Sequence, residues 1–169
     1  MGIEIERKFL VTSDAWRERS GSAKMPETSV RFRQGYIPTG GATEGTTVRV
    51  RLEGERGVLT IKARTAGLAR LEYEYPIPAG DALEMLDHVC GQPQIDKVRH
   101  TRQVGAHVWE IDEFLGENTG LVVAEIELSA EDEAFERPEW LGAEVTHDTR
   151  YLNVNLARTP WRQWGQAGA

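Results

Sequence analysis

A period of two dominates the chain. In Ile3–Val11 the residues Glu4, Glu6 and Lys8 alternate with Ile3, Ile5, Arg7 and Phe9, and in an extended strand such i, i+2 sets share one face. The same alternation runs through Ser29–Ile37, Thr47–Leu52, Gly57–Arg64, Leu68–Ile77, Gln94–Val104, His107–Leu115 and Leu121–Leu128. Turn signals at Pro38, "EGERG", Gly67, Gly105 and "GENTG" separate these runs. Helical spacing occurs at Leu83, Leu86, Val89 and Cys90, with Asp81 as the expected N-cap and Gly91 as the stop. Ser129-x-x-Asp132 resembles a capping box and predicts a second short helix. A last helix is expected over Asp148–Arg158. Strands in antiparallel hairpins with a few helices predict an α+β fold built on one large curled sheet. Residues 1–158 read as one domain and 159–169 as a C-terminal tail, whose Trp161 and Trp164 are expected to dock on the body.

The polar faces of these strands are unusual. Charges stand two residues apart at Glu4, Glu6 and Lys8, at Arg31 and Arg33, at Arg49 and Arg51, and at Lys62 and Arg64. Further along they recur at Glu72 and Glu74, Lys97 and Arg99, Glu110 and Asp112, and Glu125 and Glu127. A solvated face usually mixes in Thr, Ser and Gln and interleaves the signs. Here most strands carry one sign, so neighbours on a face repel unless a ligand neutralises them. If the sheet closes into a barrel with these faces inward, the cations require an anion rich in oxygen. The paired carboxylates suit hard divalent metals such as Mg²⁺ or Mn²⁺. A polyphosphate meets both demands.

Composition narrows the class. The 169 residues, 40% hydrophobic and 28% charged, suit a single globular domain. The net charge of −7 argues against a general nucleic-acid binder, though a concave site can still hold a positive field. No apolar run approaches a membrane span, and the charged start does not resemble a signal peptide. The single cysteine, Cys90, excludes an internal disulfide and favours the cytoplasm. His88, His100, His107 and His147 show no ligand spacing, and Trp16, Trp109 and Trp140 read as packing residues. The Gly40–Gly45 loop lacks the Lys-Ser/Thr ending of a P-loop.

Glu4-x-Glu6-x-Lys8, followed in order by "RQGY", "VRVR", "LTIK", "RLEYE", "KVRH", "WEIDEFLGENTGLVVAEIEL" and "EVTHDTRYLN", resembles the CYTH superfamily of triphosphate tunnel metalloenzymes. The context "EIERKFLV" is similar to its short bacterial inorganic triphosphatases. The resemblance implies an eight-stranded antiparallel β-barrel, a tunnel with flanking helices, that binds a triphosphate. It implies two divalent ions, Mg²⁺ or Mn²⁺, held by Glu4, Glu6, Glu125 and Glu127. Lys8, Arg49, Arg51, Lys62, Lys97 and Arg99 would hold the phosphates, with Glu72, Glu74, Glu110 and Asp112 orienting those cations or completing the metal shell. Lys97, crowded by other cations, is the candidate for assisting the attacking water, against a plain phosphate-binding role. Tyr36 is a weaker candidate for the same region. The implied function is metal-dependent hydrolysis of a small triphosphate, foremost inorganic tripolyphosphate. The rivals are an adenylate cyclase on the same fold and a non-catalytic polyphosphate-binding module. The partner is a small substrate rather than nucleic acid or membrane, and a homodimer is compatible with this reading. The Asp148–Arg158 helix is a candidate plug for one tunnel end, with Arg150 reaching inward.

Overall fold

The computed structural model describes residues 5–18, 27–40, 46–64 and 70–166. Within them the alternating runs form β1 (Ile5–Val11), β2 (Ser29–Ile37), β3 (Thr47–Glu53), β4 (Arg56–Arg64), β5 (Arg70–Ile77), β6 (Ile95–Val104), β7 (His107–Phe114) and β8 (Val122–Leu128). A ninth, β9 (Leu141–Glu144), is too short to show a period and adds to β1 at Phe9 and Val11. The described strands therefore number nine rather than eight. Antiparallel ladders join them in the order β5-β4-β3-β2-β6-β7-β8-β1-β9. The sheet curls strongly: Lys8 of β1 acts electrostatically on Tyr36 of β2, although β6, β7 and β8 separate the two in the ladder.

The convex side carries the apolar faces. Phe9, Trp109, Ile111, Ala124, Ile126 and Leu128 pack with Trp16 and Trp140. Trp109 is fully buried and meets the edges of Phe9, Phe135 and Trp140 at centroid distances of 5.6 to 5.8 Å. The three tryptophans are thus core residues, as expected. On the other half, α1 (Ala79–His88) buries Ala82 and Leu86 against Val50, Cys90, Leu59 and Ile37. It approaches β2 so closely that a Cβ on Gly35 would stand 2.7 Å from the Cβ of Cys90, so only glycine fits there. The helix begins before its expected cap. Pro78 takes the N-cap position, and Asp81 lies in the first turn, where its charge still complements the helix dipole.

Two helix expectations fail. Residues 129–138 are irregular, because the Glu133 carboxylate accepts from both the amide and hydroxyl of Ser129, at 2.5 and 2.7 Å. Glu133 also meets His107 of β7 at 2.9 Å, which ties the segment to the sheet instead of starting a turn of helix. The Asp148–Arg158 stretch splits at Leu152, whose ψ of 134° is extended. A 3-10 turn, Thr149–Tyr151, precedes it, and α2 (Asn153–Arg158) follows.

This split segment closes one end of the concavity. Leu156 is fully buried and, with Tyr151 and Ala157, packs on Leu10, Tyr36, Ile95, Phe114 and Val123. Those five are inward residues at one end of β1, β2, β6, β7 and β8. Arg150 does not reach inward: its guanidinium returns to Asp148 at 2.6 Å and is largely exposed. Asn118 fastens the floor, donating to the Leu156 carbonyl at 3.3 Å and accepting from the Trp161 amide at 2.7 Å. Trp161 meets Tyr151 at a tilt and Trp164 meets it edge-on, so these two tail residues dock as expected. Leu156→Ala should lower the unfolding free energy by about 2–5 kcal/mol in urea denaturation. A loss below about 1 kcal/mol would show that α2 contributes little to the packed floor.

Candidate active site

Cross-strand register converts the i, i+2 charges into rows on the concave face. Glu6 stands opposite Glu127, and Lys8 opposite Glu125, which in turn faces Glu110. Asp112 pairs with Arg99, Lys97 with Phe114 on one side and Phe32 on the other. Further round, Gln34 faces Arg51, Tyr36 faces Arg49, Arg49 faces Thr60, Thr60 faces Glu74, and Lys62 faces Glu72. Along the strands the acids Glu6, Glu110 and Glu127 lie toward one end and the apolar floor closes the other; Lys8, Arg51 and Arg99 lie between, Arg49 is level with Tyr36 of the floor, and Lys62 is one step beyond.

The centre is a buried ion network. Lys97 is 1% exposed, and its Nζ donates to Asp112 Oδ2 at 2.5 Å. Arg99 forks onto the same carboxylate through Nε and Nη2, both at 2.7 Å. It also donates to Glu110 and to Glu125 at 3.1 Å. Lys8 completes the chain, its Nζ 2.8 Å from Glu125 and 3.6 Å from Glu6. Burial alone would raise the Asp112 carboxyl, but Lys97 and Arg99 overcome it and hold it well below the carboxylate range. Burial lowers the Lys97 ammonium against the pull of Asp112, and Arg99 adds to the lowering. Burial raises Glu110 and Glu6, the latter further raised by Glu125.

The facing wall is less neutralised. Arg51 meets Glu53 at 2.5 Å and Glu74 at 3.7 Å. Arg49 lies 3.9 Å from Glu74 and donates to Thr60 at 3.1 Å. Lys62 pairs with Glu72 at 3.0 Å. Among the described residues, the Nε donors of Arg49 and Arg51 are buried and have no hydrogen-bond partner. Burial lowers Arg51, with Arg49 adding to it. Unpaired guanidinium donors among like charges suit an anion with many oxygens.

Thirteen of the expected site residues share this concave face; the remaining one, Glu4, lies outside the described residues. Arg31 and Arg33 do not share it. They point to the convex side, where Arg31 forks onto Asp96 and Arg33 reaches Asp87 and Gln94. The inward side of β2 instead carries Phe32, Gln34 and Tyr36, with Gln34 Nε2 donating to the Tyr36 hydroxyl at 3.1 Å. Glu53 and Thr60 also belong to the site and were missed, although each extends a charged period already visible in its strand.

The donors available to a divalent ion are all carboxylate oxygens, from Glu6, Glu125 and Glu127, which is the chemistry hard cations take. Among the described residues no three acids converge at ligand spacing. Burial first, and then the Glu125 carboxylate, raise Glu6, a cost that a bound cation would relieve.

Known proteins bear on this arrangement. An inorganic triphosphatase of Acetivibrio thermocellus is 46% identical over 164 residues, 97% of this chain and 99% of that protein. One of Nitrosomonas europaea is 36% identical over 157 residues, 91% and 96% of the two chains. A crystal structure of an inorganic triphosphatase superposes with a TM-score of 0.66 at 32% identity, covering 93% of this chain and 95% of its own. The CYTH domain model matches residues 2–159. With its charged concave face and near-complete match to that model, the chain belongs to the CYTH domain family, whose members depend on divalent metal.

Proposed function

We propose that this protein is a metal-dependent triphosphatase that hydrolyses inorganic tripolyphosphate to diphosphate and phosphate. The observation that carries the reading is the pair of buried, unpartnered Nε donors on Arg49 and Arg51, facing the Lys97–Asp112–Arg99 network. The two relatives named inorganic triphosphatase match nearly the whole chain. We place the reaction in the cytoplasm, in keeping with the single unpaired Cys90. No helix among the described residues is long and apolar enough to cross a membrane.

In this reading Arg49, Arg51 and Arg99 fork onto phosphate oxygens, and Lys8 and Lys62 add compact charge. Phosphoryl transfer needs positioning and charge neutralisation more than covalent help. Glu4, Glu6, Glu125 and Glu127 would hold two divalent ions, Mg²⁺ or Mn²⁺. When bound, these ions supply Lewis acidity to the phosphate oxygens and a water of lowered pKa. Asp112 fixes Lys97 and Arg99, while Glu72 and Glu74 steady Lys62, Arg49 and Arg51. We assign Lys97 to assisting the water, with its Nζ held by Asp112 at 2.5 Å.

Phosphate release from tripolyphosphate should require Mg²⁺ or Mn²⁺ and stop with chelator; release unchanged by chelator would sink the metal assignment. The same assay on ATP, read also for cyclic AMP, separates hydrolysis from cyclisation. Glu127→Gln should abolish metal-dependent turnover while its melting curve stays close to the parent's, because Glu127 is exposed; an active variant removes Glu127 from the metal set. Lys97→Ala should lower kcat by about 100-fold or more, the range of general acid–base assistance, with KM changed much less. A rise in KM at constant kcat would make Lys97 a phosphate ligand only. Tripolyphosphate at about 100 times its Kd should add roughly 2.7 kcal/mol of stability; an unshifted melt at that concentration would count against binding.

A further inference from the structure

Phe32 sits where a phosphate site would not be expected to place an apolar ring. It is buried at 8% exposure on the concave face of β2. Its ladder neighbours are Lys97 and Glu53. Three cations lie over its ring: the Arg99 guanidinium at 5.4 Å, that of Arg51 at 5.5 Å, and Lys97 Nζ at 5.9 Å. Lys97 also stands 5.6 Å from the ring of Phe114, so aromatic faces and one carboxylate enclose it. The three cations come from the two strands that flank β2, Arg51 from β3 and Lys97 and Arg99 from β6, and they repel: Arg99 acts unfavourably on both Arg51 and Lys97.

A carboxylate at this position would settle the repulsion by neutralising the cations and occupying their N–H donors, in competition with substrate. A ring settles it differently. Its negative quadrupole attracts cations within about 6 Å of its centroid, most strongly when desolvated, and it leaves the donors free. Arg51 shows the result: its Nη2 meets Glu53, while its Nε has no partner among the described residues. Without the ring, Arg51, already 2.5 Å from Glu53, would close on Glu74 from 3.7 Å as well and lose its free Nε donor. Substrate would then have to break those pairs before binding.

We propose that Phe32 is a positioning residue for the triphosphate: its ring gathers Arg51, Arg99 and Lys97 into one cluster in which the Arg51 Nε donor stays available to phosphate. This role rests on the triphosphatase reading above. A hydrophobic core residue would need only volume; this role needs the electron-rich face.

The test varies the face and keeps the volume. Mono-, di- and trifluorophenylalanine at position 32 withdraw electron density stepwise with little change in size. Binding of tripolyphosphate would be followed by calorimetry in chelator, with turnover followed in the presence of metal. Affinity should fall stepwise, to about tenfold at the trifluoro variant, a factor equal to ~1.4 kcal/mol. KM should rise by a similar factor, and Phe32→Tyr should bind like the parent. Equal affinity across the fluorinated series overturns the proposal, as does a Phe32→Leu variant that folds and binds like the parent. If the unsubstituted protein releases no phosphate from tripolyphosphate with Mg²⁺ or Mn²⁺ present, the triphosphatase reading itself fails, and that outcome is distinct from a flat series.

Discussion

The arrangement depends on burying like charges on the inner side of a curled sheet. Asp112 makes this tolerable: one fully buried carboxylate takes Lys97 at 2.5 Å and a two-pronged Arg99 at 2.7 Å. Isolated, any of these ions would be expensive to desolvate, and removing one partner from such a group costs about 3–5 kcal/mol. Together they satisfy one another, and the network extends through Glu125 to Lys8. The rest of the architecture supports that centre. The apolar faces are turned outward and, except at Tyr73 and Tyr75 of β5, largely covered by α1 and by the Phe135–Trp140 segment, so the main inner core is the α2 floor.

The sheet therefore has two cores and a lining. The convex cores resemble those of an ordinary sandwich half, with Trp109 at the middle of one and Leu86 at the middle of the other. Their stability is what keeps the lining in register, because each charged row is defined by antiparallel pairing across four or more strands. A slip of one residue in any strand would turn its charges into the apolar core and its apolar side chains into the site.

Much of this was legible from alternation alone. A strand whose two faces differ sharply, such as Val122–Leu128 with Glu125 and Glu127 against Ala124 and Ile126, reveals its orientation directly. β2 did not, because both its faces are polar in part. Arg31 and Arg33 look like lining residues by type, yet they are satisfied outside by Asp96 and Asp87, one on a neighbouring strand and one on α1. Nothing local to "SVRFRQGYI" shows those partners. The helix errors share a cause. The Ser129 motif was captured by Glu133, one residue beyond the Asp132 that the motif named, and Leu152 took an extended ψ so that Leu156 could reach the floor. The distant partners, His107 for Glu133 and the floor residues for Leu156, are what local propensity cannot see. β9 was missed because four residues carry too little pattern.

Asn118 has a consequence for which residue can occupy its position. Its carboxamide uses both ends, the nitrogen giving a hydrogen to Leu156 and the oxygen taking one from Trp161, while the residue is 1% exposed. Aspartate has nearly the same shape but two acceptors. At this position it would set an anion against a carbonyl oxygen and leave that carbonyl without its donor. Leucine would match the volume and satisfy neither neighbour. Size-based substitution would call such changes mild, but here the direction of a single amide dipole holds the last two helical segments to the sheet.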